Sequence, residues 1–144
     1  MHPSIDLHQL VAAVGDAIVV SNANGAITLW NPAAERMFGF TESDALGKSL
    51  DLIIPERQRQ RHWDGYHKTM ETGQTRYGND VLRVPALHKD GHSISIAFTV
   101  ALLLSADNKP MAIAAIMRDE TSRFNEERSL RKRLTELEAT AGQP

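Results

Sequence analysis

The residues best suited to hold a metal or a cofactor lie in the stretch RHWDGYHKTMETG, residues 61–73. On a helix, residues three or four apart share a face, so His62 would share one with Gly65 and Tyr66, and Thr69 follows one turn further on. A neutral imidazole is a good ligand for a transition metal, haem iron included, and a glycine one turn away could let a flat group approach the backbone. The other interpretation is that His62 is one more polar residue on a solvated helix.

Two further histidines, His88 and His92, flank a predicted hairpin turn in the sequence HKDGH, residues 88–92. The two rings could reach each other across a turn. Because Asp90 is the only carboxylate nearby, a solvated turn explains the pair better than a metal site does. His67 is an alternative ligand on the helical stretch, although the adjacent Lys68 indicates a face in water.

The sequence offers no arrangement that could catalyse a reaction. It contains no glycine-rich phosphate loop, no nucleophile with a base and no convergent pair of carboxylates. We therefore predict that the chain is not an enzyme.

The composition is that of a single globular domain. The chain has 144 residues, of which 42% are hydrophobic and 24% are charged. A net charge of -2 argues against nucleic acid or an anionic membrane as a partner, because both require clustered cations. There is no signal peptide and no apolar run near the ~20 residues that span a bilayer, so we expect a cytoplasmic protein. The absence of cysteine excludes disulfides, thiolate catalysis and iron–sulfur clusters.

Periodicity, capping residues and turn residues predict the elements that must position these side chains. In the first half of the chain we expect an amphipathic helix at 4–14 capped by Ser4, strands at 17–21 and 26–30 around an Asn24-Gly25 turn, and short helices after the caps Asn31 and Thr41. A long helix at 56–72 follows and ends before Gly73. The last three strands are expected at 77–87, 93–104 and 111–121. Five strands with helices inserted between the second and third indicate an α+β fold.

Both ends of the chain carry apolar stripes. The C-terminal helix is highly charged, with one stripe of four apolar residues: Phe124, Leu130, Leu134 and Leu137. Such a stripe is too narrow for a globular core and suits pairing with another helix. The first helix has a similar stripe of Ile5, Leu10 and Val14. We predict a homodimer through both helices, with residues 139–144 disordered.

Several motifs, in the right order, make the chain resemble the PAS family. The sequence GAITLWNPAAERMFGFTESDALGKSLDLIIP resembles the front half of that family, HKDGHSISI its hinge between the third and fourth strands, and AAIMRDET its closing strand. The resemblance covers about residues 10–122. It implies a PAS fold, which is a five-stranded antiparallel sheet with short helices and one longer helix on one face and with flanking terminal helices.

The resemblance also implies a division of the chain and a role. The parts would be an N-terminal amphipathic helix at 1–15, a PAS domain at 16–122, and a charged signalling or coiled-coil helix with a disordered end at 123–144. A PAS domain is a sensory or interaction module, and its pocket lies between the sheet and the longer helix. The signal would leave through RDET, residues 118–121, into the C-terminal helix of a dimer. The sequence does not identify the output partner.

The long helix is similar to that of haem-binding PAS domains of the FixL oxygen-sensor type. In those proteins an Arg-His early in this helix supplies the proximal iron ligand, and counting from Ile54-Pro55 places His62 there. The implied cofactor site comprises His62, Gly65, Tyr66, Thr69, Leu82, Phe98 and Val100. The FixL type has a distal arginine where this chain has Leu82. An apolar distal wall would favour CO or NO over oxygen, or would simply be core.

Two alternatives for the pocket remain open. One is haem b held by His62, which would make the chain a haem-based gas sensor. The other is a cofactor-free PAS module for dimerisation or protein interaction, or a module that binds a small apolar metabolite, because PAS domains without haem often carry the same Arg-His. Flavin is disfavoured, since the Asn-Cys motif of light-sensing relatives is absent and the inner strands offer mainly Ser95 and Thr99 as polar groups.

Overall fold

The computed structural model describes residues 4–75 and 80–141. Its elements in chain order are α1 (Leu7–Ala13), β1 (Ala17–Asn22), β2 (Ile27–Trp30), α2 (Pro32–Phe38), α3 (Glu42–Ala45), a 3-10 helix (Leu50–Ile53), α4 (Glu56–Thr72), β3 (Leu82–Leu87), β4 (Ser93–Leu104), β5 (Pro110–Asp119) and α5 (Thr121–Ala141). The third strand begins at Leu82, and the predicted start at Tyr77 lies outside the described residues.

The predicted sheet is confirmed. Five strands form one sheet in the order β2-β1-β5-β4-β3, and every neighbouring pair is antiparallel. The first and last strands therefore lie side by side near its centre, while β3 is an edge strand. That edge position accommodates Pro85, which cannot donate a ladder hydrogen bond.

Local sequence signals account for the helix ends between β2 and β3. The Asn31 side chain accepts a hydrogen bond from the Ala34 N–H (3.0 Å), as expected for an N-cap followed by proline. Thr41 forms the predicted capping box with Asp44. Helix α4 has the predicted bounds, ending at Gly73 with φ of +72°. An Asn-Gly pair in a tight turn suggests a positive φ at both residues, but in the first hairpin only Gly25 has one.

The first helix is capped by Asp6 and not by Ser4. The Asp6 carboxylate accepts hydrogen bonds from the N–H groups of His8 (3.0 Å) and Gln9 (3.2 Å), so the helix begins at Leu7. A carboxylate is favoured there because it also faces the positive end of the helix dipole. The helix is tied to the domain by the buried Asn31, whose amide donates to the Val11 carbonyl (2.9 Å).

The core lies between the inner face of the sheet and the short helices. Its largest fully buried side chains are Trp30, Phe38, Ile27 and Val19. The Trp30 and Phe38 rings are 5.4 Å apart, and the Trp30 indole donates to the Phe40 carbonyl (3.0 Å), so the ring is buried without losing its hydrogen bond. Burying side chains of this size contributes roughly 2 kcal/mol each.

Helix α5 extends from the domain with no buried residue. It includes residues 139–141, so the disorder expected at the C-terminal end does not begin at Ala139. Alanine has a high helix propensity, and the Thr140 hydroxyl donates back to the Glu136 carbonyl (2.9 Å). Residues 142–144 lie outside the described part of the chain.

Candidate functional site

Helix α4, which carries His62, is anchored by two large side chains. The Trp63 indole donates to the Asp51 carboxylate (2.7 Å). The Tyr66 hydroxyl lies 2.9 Å from the Ser21 hydroxyl and donates to the Asn22 carbonyl (2.5 Å). These bonds fix the helix against the 3-10 helix and the first hairpin, so the position of His62 is set by its two neighbours.

The anchoring bonds also place α4 on the inner side of the sheet. Ser21 pairs with Ile113 and Val19 pairs with Ala115, so Ser21 points to the same face as the buried core residue Val19. Because Tyr66 bonds to Ser21, the helix crosses that face. The structure therefore has the arrangement that the sequence resemblance implied, in which the longer helix lies over the inner strands.

His62 is packed between aromatic rings. Its ring centroid lies 4.6 Å from that of Trp63 and 5.7 Å from that of Tyr66. Its Nδ1 atom is buried and has no hydrogen-bond partner in residues 4–75 and 80–141. Burial lowers the pKa of His62, an effect that the Asp51 charge opposes and His67 reinforces. The imidazole is therefore neutral at pH 7, which is the form that binds a metal.

The other predicted helix residues differ in what they can offer a ligand. Gly65 is exposed, and a Cβ built on it meets nothing within 4 Å, so the space beside it is open. Tyr66 is buried with its hydroxyl engaged by the first hairpin, and burial raises the pKa of that hydroxyl. The Thr69 hydroxyl donates to the Gly65 carbonyl (3.0 Å) and is turned back onto its own helix. The hydroxyls of Tyr66 and Thr69 are both engaged in hydrogen bonds, whereas the Nδ1 of His62 has no partner among the described residues.

The three predicted strand residues form one apolar wall, consisting of Leu82, Phe98 and Val100. Leu82 pairs directly with Phe98 across β3 and β4. Phe98 and Val100 pair with Met117 and Ala115 of β5, which places them on the inner face of the sheet. All three are only half-buried, so α4 does not fully cover this part of the face. The structure thus puts the apolar wall and His62 on the same side of the sheet.

Sequence reasoning identified Trp63 as a packing residue but missed the two residues outside the helix that help to position it, Ser21 and Asp51. One signal was available for Ser21. It follows Ala17 and Val19 at the inward positions of β1, where a hydroxyl requires a buried partner. Nothing comparable in the sequence indicates Asp51, because its partner Trp63 lies on another element.

The structure brings together His88, Asp90 and His92 in the turn between β3 and β4. The Asp90 carboxylate faces the Nδ1 atoms of both histidines. His67, the alternative helix ligand, is exposed, and its ring lies 6.0 Å from that of Trp63. The turn is therefore a second group of ligating side chains, separate from His62.

Comparison with known proteins identifies the family. A family model described as the PAS fold matches residues 5–120. The chain belongs to the PAS family. A solved PAS domain of a protein from Colwellia psychrerythraea superposes with a TM-score of 0.70 at 23% identity, covering 81% of this chain and 95% of that one. At that identity the structural likeness supports the PAS fold alone.

Two curated relatives of this PAS domain are sensors. The chain is 38% identical to the sensor protein FixL of Bradyrhizobium diazoefficiens over 60 residues, covering 42% of this chain and 12% of FixL. It is 28% identical to the oxygen sensor protein DosP of Escherichia coli over 98 residues, covering 68% of this chain and 12% of DosP. The chain thus spans about an eighth of the length of either protein. It is a PAS sensory domain related to larger sensor proteins.

Within residues 4–75 and 80–141, no helix combines the length and the apolar character needed to cross a bilayer.

Proposed function

We propose that this PAS domain is the input module of a signal-transduction protein and binds its ligand between α4 and the inner face of the sheet. The observation that carries the proposal is the buried Nδ1 of His62, which has no partner among the described residues. A buried polar atom without a hydrogen bond costs about 1–3 kcal/mol. The Nδ1 of His62 lies on the same side of the sheet as the half-buried apolar wall. A ligand bound between them would supply the missing partner and cover the wall.

Haem is the ligand that these residues fit best. His62 is neutral and would hold the iron, the open space at Gly65 would admit the edge of a flat ring, and the apolar wall would cover the opposite side. Bound haem would supply an iron atom that can bind a diatomic gas. The apolar wall has no hydrogen-bond donor, so we expect CO or NO to be preferred over oxygen. The relationship to FixL and DosP supports this proposal.

Titration of the purified chain with hemin tests the haem proposal. We expect a Soret band that saturates at one haem per chain and is lost in His62→Ala. His67→Ala is the matched control, because it removes an exposed histidine from the same helix and should leave the spectrum unchanged. A chain that shows no Soret band, or a band that survives His62→Ala, would refute His62 as the haem ligand.

The second candidate is a cofactor-free module for dimerisation or protein interaction, or a module that binds a small apolar metabolite. It is favoured by the exposed apolar residues of the terminal helices, of which Leu10 is 55% exposed and Leu134 is 57% exposed. This candidate predicts a colourless protein that dimerises with concentration and does not respond to hemin. The spectrum of the purified protein therefore separates the two candidates.

We propose that the signal leaves through the junction of β5 and α5. The Thr121 hydroxyl accepts a hydrogen bond from the Ser95 N–H (3.0 Å), and the Glu120 N–H donates to the Ser95 carbonyl (2.8 Å). The junction of β5 and α5 is therefore attached to β4, the strand that contributes two residues of the apolar wall. A ligand that shifts β4 would move the start of α5 and change how that helix pairs in a dimer.

A further inference from the structure

The turn between β3 and β4 gathers three metal-ligating side chains at its surface. One ligand atom from each of His88, Asp90 and His92 lies within 4.8 Å of the other two. The Asp90 Oδ1 is 3.2 Å from the Nδ1 of His88 and in direct contact with the Nδ1 of His92. The two imidazole rings are stacked, with centroids 4.6 Å apart and planes inclined by 20°. Two imidazoles and one carboxylate therefore lie close together at the surface of the turn.

The backbone of the turn holds these side chains in place. The His88 N–H donates to the His92 carbonyl (3.0 Å), and the Gly91 N–H donates to the His88 carbonyl (2.9 Å). Gly91 has φ of +94°, a conformation that closes the turn tightly and that other residues adopt only with strain. The ligand atoms thus lie on a short closed loop, so binding an ion would order little additional chain.

His88 is further fixed by the helix layer. Its Nε2 and Cε1 atoms lie 2.8 and 2.7 Å from the position that a Cβ on Gly39 would take, so the ring fits here because residue 39 is glycine. This packing points Nδ1 at the turn. The Asp90 N–H lies 3.2 Å from that Nδ1 and donates to it, so the Nδ1 lone pair faces the turn and is engaged by a backbone hydrogen bond. A metal ion would take over that lone pair.

We propose that the turn binds one divalent transition metal ion, such as zinc, through the Nδ1 of His88, the carboxylate of Asp90 and a ring nitrogen of His92. Two imidazoles and a carboxylate are a common ligand set for zinc, with water in the fourth position. Ligand atoms about 2.0–2.1 Å from a tetrahedral zinc lie about 3.3 Å from one another, close to the 3.2 Å between His88 and Asp90. Magnesium and calcium prefer all-oxygen sites and are not expected here.

The three-atom convergence changes how the sequence is interpreted. A solvated turn needs only the Asp90 carboxylate, which accepts from the His92 N–H (3.0 Å) and closes the turn on its own. It does not require both histidine rings to face that carboxylate. The sequence showed one carboxylate and two separated histidines, whereas the turn makes all three into neighbours.

Cobalt titration of the full chain, prepared without an affinity tag or hemin, tests the site. We expect visible absorption bands of four-coordinate Co²⁺ that saturate at one ion per chain and are displaced by Zn²⁺. His92→Ala and Asp90→Asn should each weaken binding by about tenfold or more, a loss of at least about 1.4 kcal/mol. Both side chains are more than half exposed, 55% for His92 and 60% for Asp90, so neither change should prevent folding.

The matched control is His8→Ala, which removes an exposed histidine of α1 and should leave the cobalt bands and affinity unchanged. The proposal is overturned if His92→Ala binds cobalt like the unaltered chain. It is also overturned if the bands are absent from the unaltered chain, or if they disappear in His62→Ala and persist in the turn variants. The last result would assign metal binding to α4.

Discussion

At the scale of single residues, the Tyr66 hydroxyl fixes the helix that carries His62. It contacts the hydroxyl of Ser21, which is only 2% exposed, and the carbonyl of Asn22. We predict that Tyr66→Phe lowers the free energy of unfolding by about 1–2 kcal/mol, because it leaves these buried groups without their partner. Urea unfolding followed by circular dichroism measures the change.

A double-mutant cycle with Ser21→Ala isolates the contact between the two hydroxyls. Tyr66→Phe should cost less in the Ser21→Ala background, since the Ser21 oxygen is then no longer left unpaired. Equal costs in both backgrounds would mean that the Tyr66–Ser21 contact does not contribute to stability.

The buried imidazole of His62 makes the ligand-free protein sensitive to acid. Burial lowers its pKa in the folded state below the value of about 6.5 expected in the unfolded chain. Between those two values the unfolded chain binds the proton and the folded protein does not, so this contribution to stability is present above pH ~6.5 and is lost as the pH falls below it. Urea unfolding at a series of pH values should show that decline.

His62→Gln is the matched variant for the pH series, because it keeps a polar side chain of similar size that does not titrate. It should flatten the decline below pH ~6.5, whereas His67→Gln should flatten it less, because His67 is the smallest of the contributions to the lowered pKa of His62. A decline of the same size in both variants would assign the acid sensitivity to groups other than His62.

At this scale the sequence predicted residue types better than partners. The ligand candidate His62 and the caps Asn31 and Thr41 were identifiable because their signals are local: a histidine at a set distance from Ile54-Pro55, and polar residues at helix starts. The Trp63–Asp51 bond joins residues twelve apart on different helices, and its formation depends on how those helices pack. Tertiary packing of this kind has no signature in a single sequence.

At the scale of elements, the first hairpin and α4 meet at Gly25. The backbone there has φ of +81°, and a Cβ on Gly25 would overlap the Trp63 ring. Gly47 provides a matched comparison, because it has the same φ of +81° but nothing within 4 Å of the Cβ position. We predict that Gly47→Ala costs about 1 kcal/mol of backbone strain and that Gly25→Ala costs a further 1–3 kcal/mol of steric overlap.

Urea unfolding of the two glycine variants, followed by circular dichroism, measures both terms. The excess cost of Gly25→Ala over Gly47→Ala is the steric part, because the backbone strain is common to both positions. Equal costs at the two sites would show that the Trp63 ring moves away without loss and that the hairpin does not fix α4.

The elements themselves were largely predictable, and the misses have physical reasons. The bounds of α4 follow from Pro55 and Gly73. Pro55 precedes the helix, because a proline inside it would lack the N–H needed for a helical hydrogen bond, and Gly73 ends it by adopting a positive φ. The start of α1 was misplaced because Ser4 and Asp6 are both good caps, and the choice depends on which side chain reaches the free N–H groups. Phe124 was assigned to the α5 stripe, yet six residues of helix turn it about 120° away from Leu130.

Phe124 belongs to a different surface. It lines a cavity of about 280 Å³ between the start of α5 and the β3–β4 edge of the sheet, together with Val84 and Glu120. The apolar stripe of α5 therefore consists of Leu130, Leu134 and Leu137, at a spacing of four and three residues. This spacing is the a/d repeat of a coiled-coil seam.

At the scale of the whole molecule, both terminal helices carry exposed apolar residues. The α5 stripe is exposed to 62%, 57% and 65% at Leu130, Leu134 and Leu137, and no other described element covers it. A 21-residue helix with a polar remainder is not stable alone through propensity and would gain stability by pairing. We infer that two copies of the chain bury this stripe against each other.

Leu134→Asp tests the pairing, since it places a charge at the middle of the stripe. We predict that the unaltered chain shows a concentration-dependent dimer in sedimentation velocity. Leu134→Asp should raise the dissociation constant of that dimer by at least about tenfold. Thr135→Asp introduces the same charge about 100° around the helix, away from the seam, and should leave the dimer intact. A dimer that survives Leu134→Asp would place the contact elsewhere, and α1, where Leu10 is 55% exposed, would be the next surface to alter. Loss of the dimer in Thr135→Asp alone would contradict the a/d register of the stripe. It would also contradict the proposed signalling route, in which a ligand on the inner face of the sheet changes how α5 pairs.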